Sequence, residues 1–207
     1  MIEKFLKLDS EKQQRILDAA FKEFADQGYE RASTNTIVKE AGIGKGMLFY
    51  YFKSKKELFN YLIDYGINYL IDEYLNRINE NQSDFIGKYR EVAKIKMKAY
   101  AKNPYIFNFF GTFYINKDVE LSEELQERFT KLRDLGFSKL FKNIDTSLFR
   151  EDIDSDNIIK LINYTIEGYE KHLINDFKGQ KLSSVKLDPY WDEFDDFLEL
   201  LKKIYYK

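Results

Sequence analysis

The chain has 207 residues, a formal net charge of −2 and no cysteine, which excludes disulfides, thiol catalysis and thiolate metal sites. Its length allows one large or two small domains with a substantial core. Only ten glycines and two prolines are present, which favours long helices over a turn-rich β architecture. No stretch approaches the roughly 18 apolar residues of a membrane-spanning helix, and we expect a soluble cytoplasmic protein with no membrane partner.

The first amphipathic pattern begins at a capping box, Ser10 to Gln13. Apolar residues then recur at helical spacing, as in Ile16, Ala20 and Phe24, and the pattern stops at Gly28. The sequence therefore predicts one helix from about residue 10 to residue 27.

Two short helices and a tight turn are predicted next, between residues 33 and 58. Thr34 is the expected cap of the first helix and Gly42 its end. The second helix covers residues 45–52, and Ser54 opens a capping box for the helix that follows. Five lysines and two glutamates lie between Lys39 and Glu57, so positive charge is concentrated here. The predicted core of this three-helix head is Phe21, Phe24, Ile37, Leu48 and Phe52.

The rest of the chain also has helical periodicity and no repeat. We predict a connecting helix over 54–78, a polar loop over 79–84, and further helices over 85–102, from Pro104 to about 114, 123–142, 155–177 and 189–205, the last capped by Asp188. The expected architecture is all-α with about nine helices.

Two short helices with a glycine-containing turn are the plan of the helix-turn-helix, whose second helix enters the major groove of DNA. The run Ile43-Gly44-Lys45-Gly46-Met47-Leu48-Phe49-Tyr50-Tyr51-Phe52-Lys53-Ser54-Lys55-Lys56-Glu57-Leu58 resembles the signature of TetR-type transcriptional regulators. It departs from the usual pattern at Gly44, Met47 and Phe49. The resemblance implies a DNA-binding domain at residues 1–53 and a ligand-binding and dimerisation domain at residues 54–207.

The side chains of the second short helix suit base recognition. Lys45 can donate to guanine O6 and N7, Met47 can contact a thymine methyl, and Tyr50 can reach a base edge or the backbone. By the resemblance, Thr34, Tyr51 and Lys55 are expected at phosphates. Asn35 and Gly46 complete the predicted DNA-binding set. The structural alternative is a packed helical corner with a solvated rim of lysines.

An aromatic cluster in the predicted domain 54–207 could line a pocket for a flat or apolar effector. The resemblance implies that this domain binds a small-molecule effector. The predicted pocket residues are Tyr89, Met97, Tyr100, Phe107, Phe110, Phe113, Tyr114, Tyr164 and Tyr169. Because aromatic residues make up 17% of the chain, an ordinary core explains the same cluster.

The last two predicted helices carry many large apolar side chains. In the family such a pair meets its copy in a four-helix bundle, and the resemblance implies a homodimer on an inverted-repeat operator. The predicted interface residues are Ile158, Ile162, Ile166, Trp191, Phe194, Phe197, Leu198 and Leu201. The alternative is that these residues fill an internal core.

The expected function is thus a homodimeric, ligand-responsive transcriptional regulator that binds double-stranded DNA, and a repressor released from its operator by an apolar or aromatic effector. An alternative is a DNA-bound protein of the same fold that recruits a protein partner without an effector. No phosphate-binding glycine loop, paired-histidine motif or nucleophile elbow is present, so we expect no enzyme activity, cofactor or metal. The one histidine, His172, shares a helical face with Asp176 and is expected at the surface or a pocket rim.

Overall fold

The computed structural model describes residues 2–115, 123–177, 180 and 184–207, and over these residues the protein is all-α. Within these ranges ten helices follow one another: α1 Ile2–Leu6, α2 Ser10–Arg31, α3 Thr34–Ala41, α4 Lys45–Phe52, α5 Lys55–Glu73, α6 Phe85–Lys102, α7 Pro104–Ile115, α8 Glu123–Leu140, α9 Ser155–Phe177 and α10 Asp188–Tyr205. Short 3-10 turns cover Leu75–Arg77 and Thr146–Leu148. Nine of these helices match the predicted pattern, and α1 was not predicted.

Several helix boundaries differ from the predictions by one residue or by a few. Asp9, not Ser10, caps α2, because its carboxylate accepts from the Lys12 N–H at 2.8 Å. Likewise Ser33 caps α3, while Leu187 precedes α10 without a side-chain cap. Ser54 caps α5 as predicted, since its hydroxyl accepts from the Glu57 N–H at 3.1 Å.

The backbone conformation at two positions decides where α2 bends and where α5 ends. Gly28 has a φ of +69° and breaks the helical conformation near the end of α2, at the predicted position. The helix α5 ends at Glu73 instead of residue 78, because Tyr74 leaves the helical region with φ −123° and ψ −70°.

The described residues form two compact units. The first contains residues 2–70, 100–115, 180 and 184, and the second contains residues 71–99, 123–177 and 185–207. These units are defined by packing, whereas the predicted division after residue 53 concerns function and stays a prediction. Among the described helices, none has the length and apolar character required to cross a bilayer.

The first unit is built on aromatic packing. All five residues of the predicted head core are at most 3% exposed, which confirms that prediction. The ring of Phe109 in α7 lies 5.2 Å from Phe21 in α2 and 5.7 Å from Phe59 in α5, centroid to centroid. Gly66 in α5 lets Phe110 approach closely, since a Cβ at this glycine would lie 3.0 Å from the Phe110 Cζ. The helix α7 is therefore part of the core that supports the head.

The second unit has its own core between α6, α9 and α10, made of Phe85, Ile86, Tyr89, Leu140, Phe149, Ile158, Ile162, Ile166, Leu198 and Leu201. A hydrogen-bond network closes one end of it. The Tyr206 hydroxyl donates to Asp84 Oδ1 at 2.5 Å and accepts from the Ile86 N–H at 3.0 Å. Lys202 adds an ion pair to Asp84 at 3.1 Å. The end of α10 is thereby fixed to the start of α6.

Candidate nucleic-acid interface

The turn between α3 and α4 has the geometry of a helix-turn-helix. Gly42 adopts the left-handed conformation, φ +64° and ψ +38°, and its N–H donates to Lys39 O. The Ile43 N–H then donates to Val38 O at 3.0 Å. A side chain with a Cβ is disfavoured at such a φ, so glycine at this position permits the abrupt end of α3 and the start of α4 three residues later.

One side of α4 is buried and the other is open to solvent. Leu48 and Phe52 are 1% and 3% exposed and attach α4 to the head core. Lys45 and Gly46 at its first turn are exposed, as are Met47 and Tyr50, which follow on the helix. A Cβ built on Gly46 meets no atom within 4 Å. Four of the predicted DNA-binding residues therefore share an exposed surface of one helix, which we call the α4 surface.

The other predicted DNA-binding residues have different surroundings. Asn35 is exposed on α3, and Thr34 is its first, half-buried residue. The Tyr51 side chain is 3% exposed and its ring lies 6.1 Å from that of Phe5. Tyr51 is therefore packed in the core, and its expected contact with a phosphate stays a prediction.

Lys55 is half-buried at the start of α5 and already has protein partners. Its ammonium donates to Glu30 O at 3.0 Å and lies 4.9 Å from the centre of the Tyr29 ring. These contacts hold the lysine against the end of α2. Its expected contact with a phosphate stays a prediction, and that contact would have to be made in addition to these or in place of them.

A strained residue separates the candidate recognition helix from α5. Lys53 has φ +52° and ψ −45°, and the Ser54 N–H donates to Phe52 O across it, which is a γ-turn. A residue with a side chain rarely adopts this conformation. The tight turn allows α5 to begin immediately after α4, and the sequence pattern gave no sign of it.

The predicted pocket residues whose side chains are described are divided between the two units. Tyr100, Phe107 and Phe110 belong to the first unit, where Phe107 lies 5.9 Å from Tyr100. The remaining described members, Tyr89, Met97, Tyr164 and Tyr169, belong to the second unit. Tyr164 is 64% exposed, which corrects its expected place in a pocket. The side chains of Phe113 and Tyr114 lie outside the described part of the chain.

The polar partners of Tyr89 were not predicted. Its hydroxyl donates to Asn163 Oδ1 at 2.9 Å, and the Asn163 amide donates to Glu167 at 2.8 Å. Burial raises the pKa of Tyr89, and the charge of Glu170 raises it further. Sequence spacing could have shown only that Asn163, Glu167 and Glu170 share one face of α9.

A cleft of about 230 Å³ lies in the first unit, and none of the predicted pocket residues lines it. Asp18 in α2 faces this cleft and accepts a hydrogen bond from Gln14 at 2.7 Å. Burial raises the pKa of its carboxyl. The lining residues are Gln14, Asp18, Tyr65, Tyr69, Lys102, Asn103, Pro104 and Tyr105.

The predicted dimer residues divide into two groups. The five members of the second unit's core, Ile158, Ile162, Ile166, Leu198 and Leu201, are at most 3% exposed. They fill the protomer and cannot form an exposed interface, so their assignment is corrected. Trp191, Phe194 and Phe197 are half-buried, and Phe197 stacks on Tyr169 at 4.8 Å.

A different set of apolar side chains faces outward from α9 and α10. Leu161 is 42% exposed and Tyr164 64% on α9, and Leu200 is 53% exposed and Ile204 43% on α10. We call these four residues the outer apolar face. His172 on α9 is also exposed, and its Nε2 lies 3.6 Å from Asp176, in agreement with a surface histidine.

Comparison with known proteins agrees with this geometry. Residues 16–62, from α2 to the first half of α5, match the family described as bacterial regulatory proteins, tetR family. A helix-turn-helix-type transcriptional regulator of Staphylococcus aureus (strain bovine RF122/ET3-1) is 27% identical over 191 residues, which cover 80% of this chain and 91% of the relative.

Solved structures share the fold over almost the whole chain. A TetR family transcriptional regulator from Chloroflexus aurantiacus J-10-FL superposes with a TM-score of 0.60 and 24% identity, covering 99% of this chain and 98% of its own. The regulator FadR of Bacillus subtilis, solved in complex with stearoyl-CoA, has a TM-score of 0.55 and 18% identity, covering 91% and 96%.

Proposed function

We propose that this chain is a TetR-type transcriptional regulator, and that it acts as a homodimeric repressor released from an inverted-repeat operator by a small apolar effector. The match of residues 16–62 to the tetR family and the shared all-α fold support this proposal. The observation that supports this proposal best is the α4 surface. Its lysine, glycine, methionine and tyrosine are exposed on the second helix of a helix-turn-helix whose opposite side is buried.

The proposed DNA contacts follow from the chemistry of that surface. Lys45 donates to guanine O6 and N7, while Met47 packs against a thymine methyl. Gly46 lets the start of α4 approach the DNA closely, because it has no side chain there. Thr34 and Asn35 at the start of α3 add contacts to the backbone and to one base, supported by the positive end of the helix dipole.

We place the dimer contact on the outer apolar face. Four large apolar side chains on two adjacent helices lose unfavourable contact with water when a second copy covers them. A two-fold dimer presents two identical α4 surfaces, which an inverted repeat with half-sites about one DNA turn apart, or a multiple of it, accommodates. The effector acts by binding one arrangement of the dimer more tightly than the other.

Selection from random duplex DNA at near-physiological salt tests the proposal directly. We expect enrichment of an inverted repeat by the wild-type protein, and a loss of at least tenfold in affinity for that repeat in Lys45→Ala. The Lys131→Ala variant removes one charge from α8 and serves as the matched control. Enrichment of no sequence, or equal affinity of both variants and the wild type, would refute the assignment.

Two further measurements separate the parts of the proposal. Sedimentation should give twice the 24.8 kDa of one chain for the wild type, and a monomer for Leu200→Glu. Stearoyl-CoA is a suitable first effector probe, because the FadR relative was solved with it, and free coenzyme A is its control. Release of operator DNA by the acyl compound alone would support an apolar effector, and equal release by both would contradict it.

A further inference from the structure

A short helix precedes the segment that matches the family and packs on the candidate recognition helix. The helix α1 covers Ile2–Leu6, whereas the match begins at residue 16. Phe5 of α1 is fully buried, and its ring lies 4.9 Å from Phe52 and 6.1 Å from Tyr51, both in α4. It also lies 5.5 Å from Tyr61 in α5. Phe5 thus attaches α1 to the inner side of α4.

The residue next to this anchor brings a positive charge to the outer side of α4. The Lys4 ammonium lies 3.9 Å from the centre of the Tyr50 ring, well within the distance of a cation–π interaction. Lys4 is exposed, and Tyr50 is 51% exposed on the α4 surface. The charge is therefore held beside the tyrosine of the α4 surface.

Contacts of the α1 backbone and of the lysine side chain itself restrain the position of Lys4. Phe5 fixes α1 from within, and the Gln13 amide donates to Leu6 O at 3.2 Å and to Leu8 O at 2.8 Å. The Tyr50 ring then orients the lysine side chain. A side chain restrained in this way loses less conformational entropy when it binds than a free surface lysine does.

We propose that Lys4 contacts a DNA phosphate beside the α4 surface and that Tyr50 positions its ammonium for this contact. The proposal rests on the proposed function, since it adds an element to the same interface. It assigns α1, which lies outside the matched segment, a role in binding as well as in packing. Glu3, which is also exposed, carries the opposite charge and cannot make this contact.

The salt dependence of DNA binding distinguishes this role from a purely structural one. Each phosphate contact contributes about 0.9 to the slope of log K against log salt. In a dimer, Lys4→Gln should therefore reduce the slope by about 1.8, so that between about 50 and about 200 mM salt the wild type loses about 12-fold more affinity than the variant. The probe is the inverted repeat selected by the wild type, with a duplex of unrelated sequence beside it.

The matched control is Lys131→Gln, which removes one charge from an exposed lysine of the second unit. Lys131→Gln should leave the salt slope unchanged for the selected repeat and for the unrelated duplex. Lys4→Arg should keep the wild-type slope, because arginine retains the positive charge. If Lys4→Gln lowers only the melting temperature and leaves the slope unchanged, the phosphate contact is refuted while the proposed function stands. If the wild type itself selects no repeat, the proposed function fails instead.

The contribution of Tyr50 is tested in the same assay. In Tyr50→Phe the ring remains, so Lys4→Gln should change the slope as much as in the wild type. In Tyr50→Leu the ring is lost, and the effect of Lys4→Gln should be smaller. An equal effect of Lys4→Gln in both backgrounds would overturn the positioning role of the tyrosine.

Discussion

Replacement of Gly46 by alanine should separate stability from DNA binding. Gly46 is the second residue of α4, is exposed, and has open space where a Cβ would stand. Alanine in a helix is favoured over glycine by about 0.5–1 kcal/mol, so the free protein should become more stable. For a chain of this length, that change corresponds to an increase of about 1–4 °C in the melting temperature.

DNA binding should change in the opposite direction. If the start of α4 enters the major groove, the added methyl group occupies space that DNA atoms fill, and the affinity for the selected repeat should fall at least tenfold, or about 1.4 kcal/mol. Thermal unfolding and fluorescence anisotropy with labelled repeat measure the two effects on one preparation.

Gly136→Ala is the matched control, because this glycine is also inside a helix, α8, and its added Cβ would make an ordinary contact of 3.6 Å with Leu75. It should stabilise the protein similarly and leave DNA binding unchanged. Unchanged affinity in Gly46→Ala would refute the close approach of α4 to DNA. A lower melting temperature of the same variant would refute its helical environment.

Three more predictions concern the fold. Gly66→Ala should lower stability by about 1–3 kcal/mol, because its Cβ overlaps the Phe110 ring, and a urea titration measures this. Tyr206→Phe should cost about 1–2 kcal/mol in the same titration, because the buried end of α6 loses a hydrogen-bond partner. The Glu80 carboxylate accepts hydrogen bonds from Lys139 and Lys142, and these lysines lower its pKa to about 2. The stabilising effect of Glu80 is therefore complete above its ordinary pKa of 4.5. This effect is lost as the pH falls from 4.5 toward 2.

Each of these predictions has an outcome that contradicts it. A Gly66→Ala variant as stable as Gly136→Ala would show that Phe110 moves without cost. Equal urea midpoints for Tyr206→Phe and the wild type would exclude a stabilising network at Asp84. For the acid effect, Glu80→Gln should flatten the decline of stability below pH 4.5, and an identical decline in both proteins would exclude the carboxylate as its source.

Local signals in the sequence were sufficient for the helices and for the head core. Apolar residues three and four apart identify the buried side of a helix, and this rule found Leu48 and Phe52 correctly. The same rule could not choose between adjacent capping residues, since Ser33 and Thr34 both have a side-chain oxygen. Only the backbone conformation before α3 decides in favour of Ser33.

Long-range packing limited the prediction of the functional surfaces. Apolar periodicity marks residues such as Ile162 as buried, but the burying partner can be the same chain or a second copy. The structure shows that its own protomer buries Ile162, while Leu161, one position earlier, faces outward. The α1 helix was missed for a related reason, because five residues with one buried phenylalanine have no measurable period.

The place of α7 has a consequence for engineered regulators. Exchange of DNA-binding heads between relatives assumes that the head is a portable segment of sequence. Here Phe109 of α7 packs against Phe21 and Phe59, about fifty residues or more away in the sequence. A graft of residues 1–53 alone would leave Phe21 without this partner and lose part of the about 1.5–3 kcal/mol that burial of such a side chain provides. A chimaera should therefore carry α7 together with the head, or supply an aromatic residue from its new body at the same place.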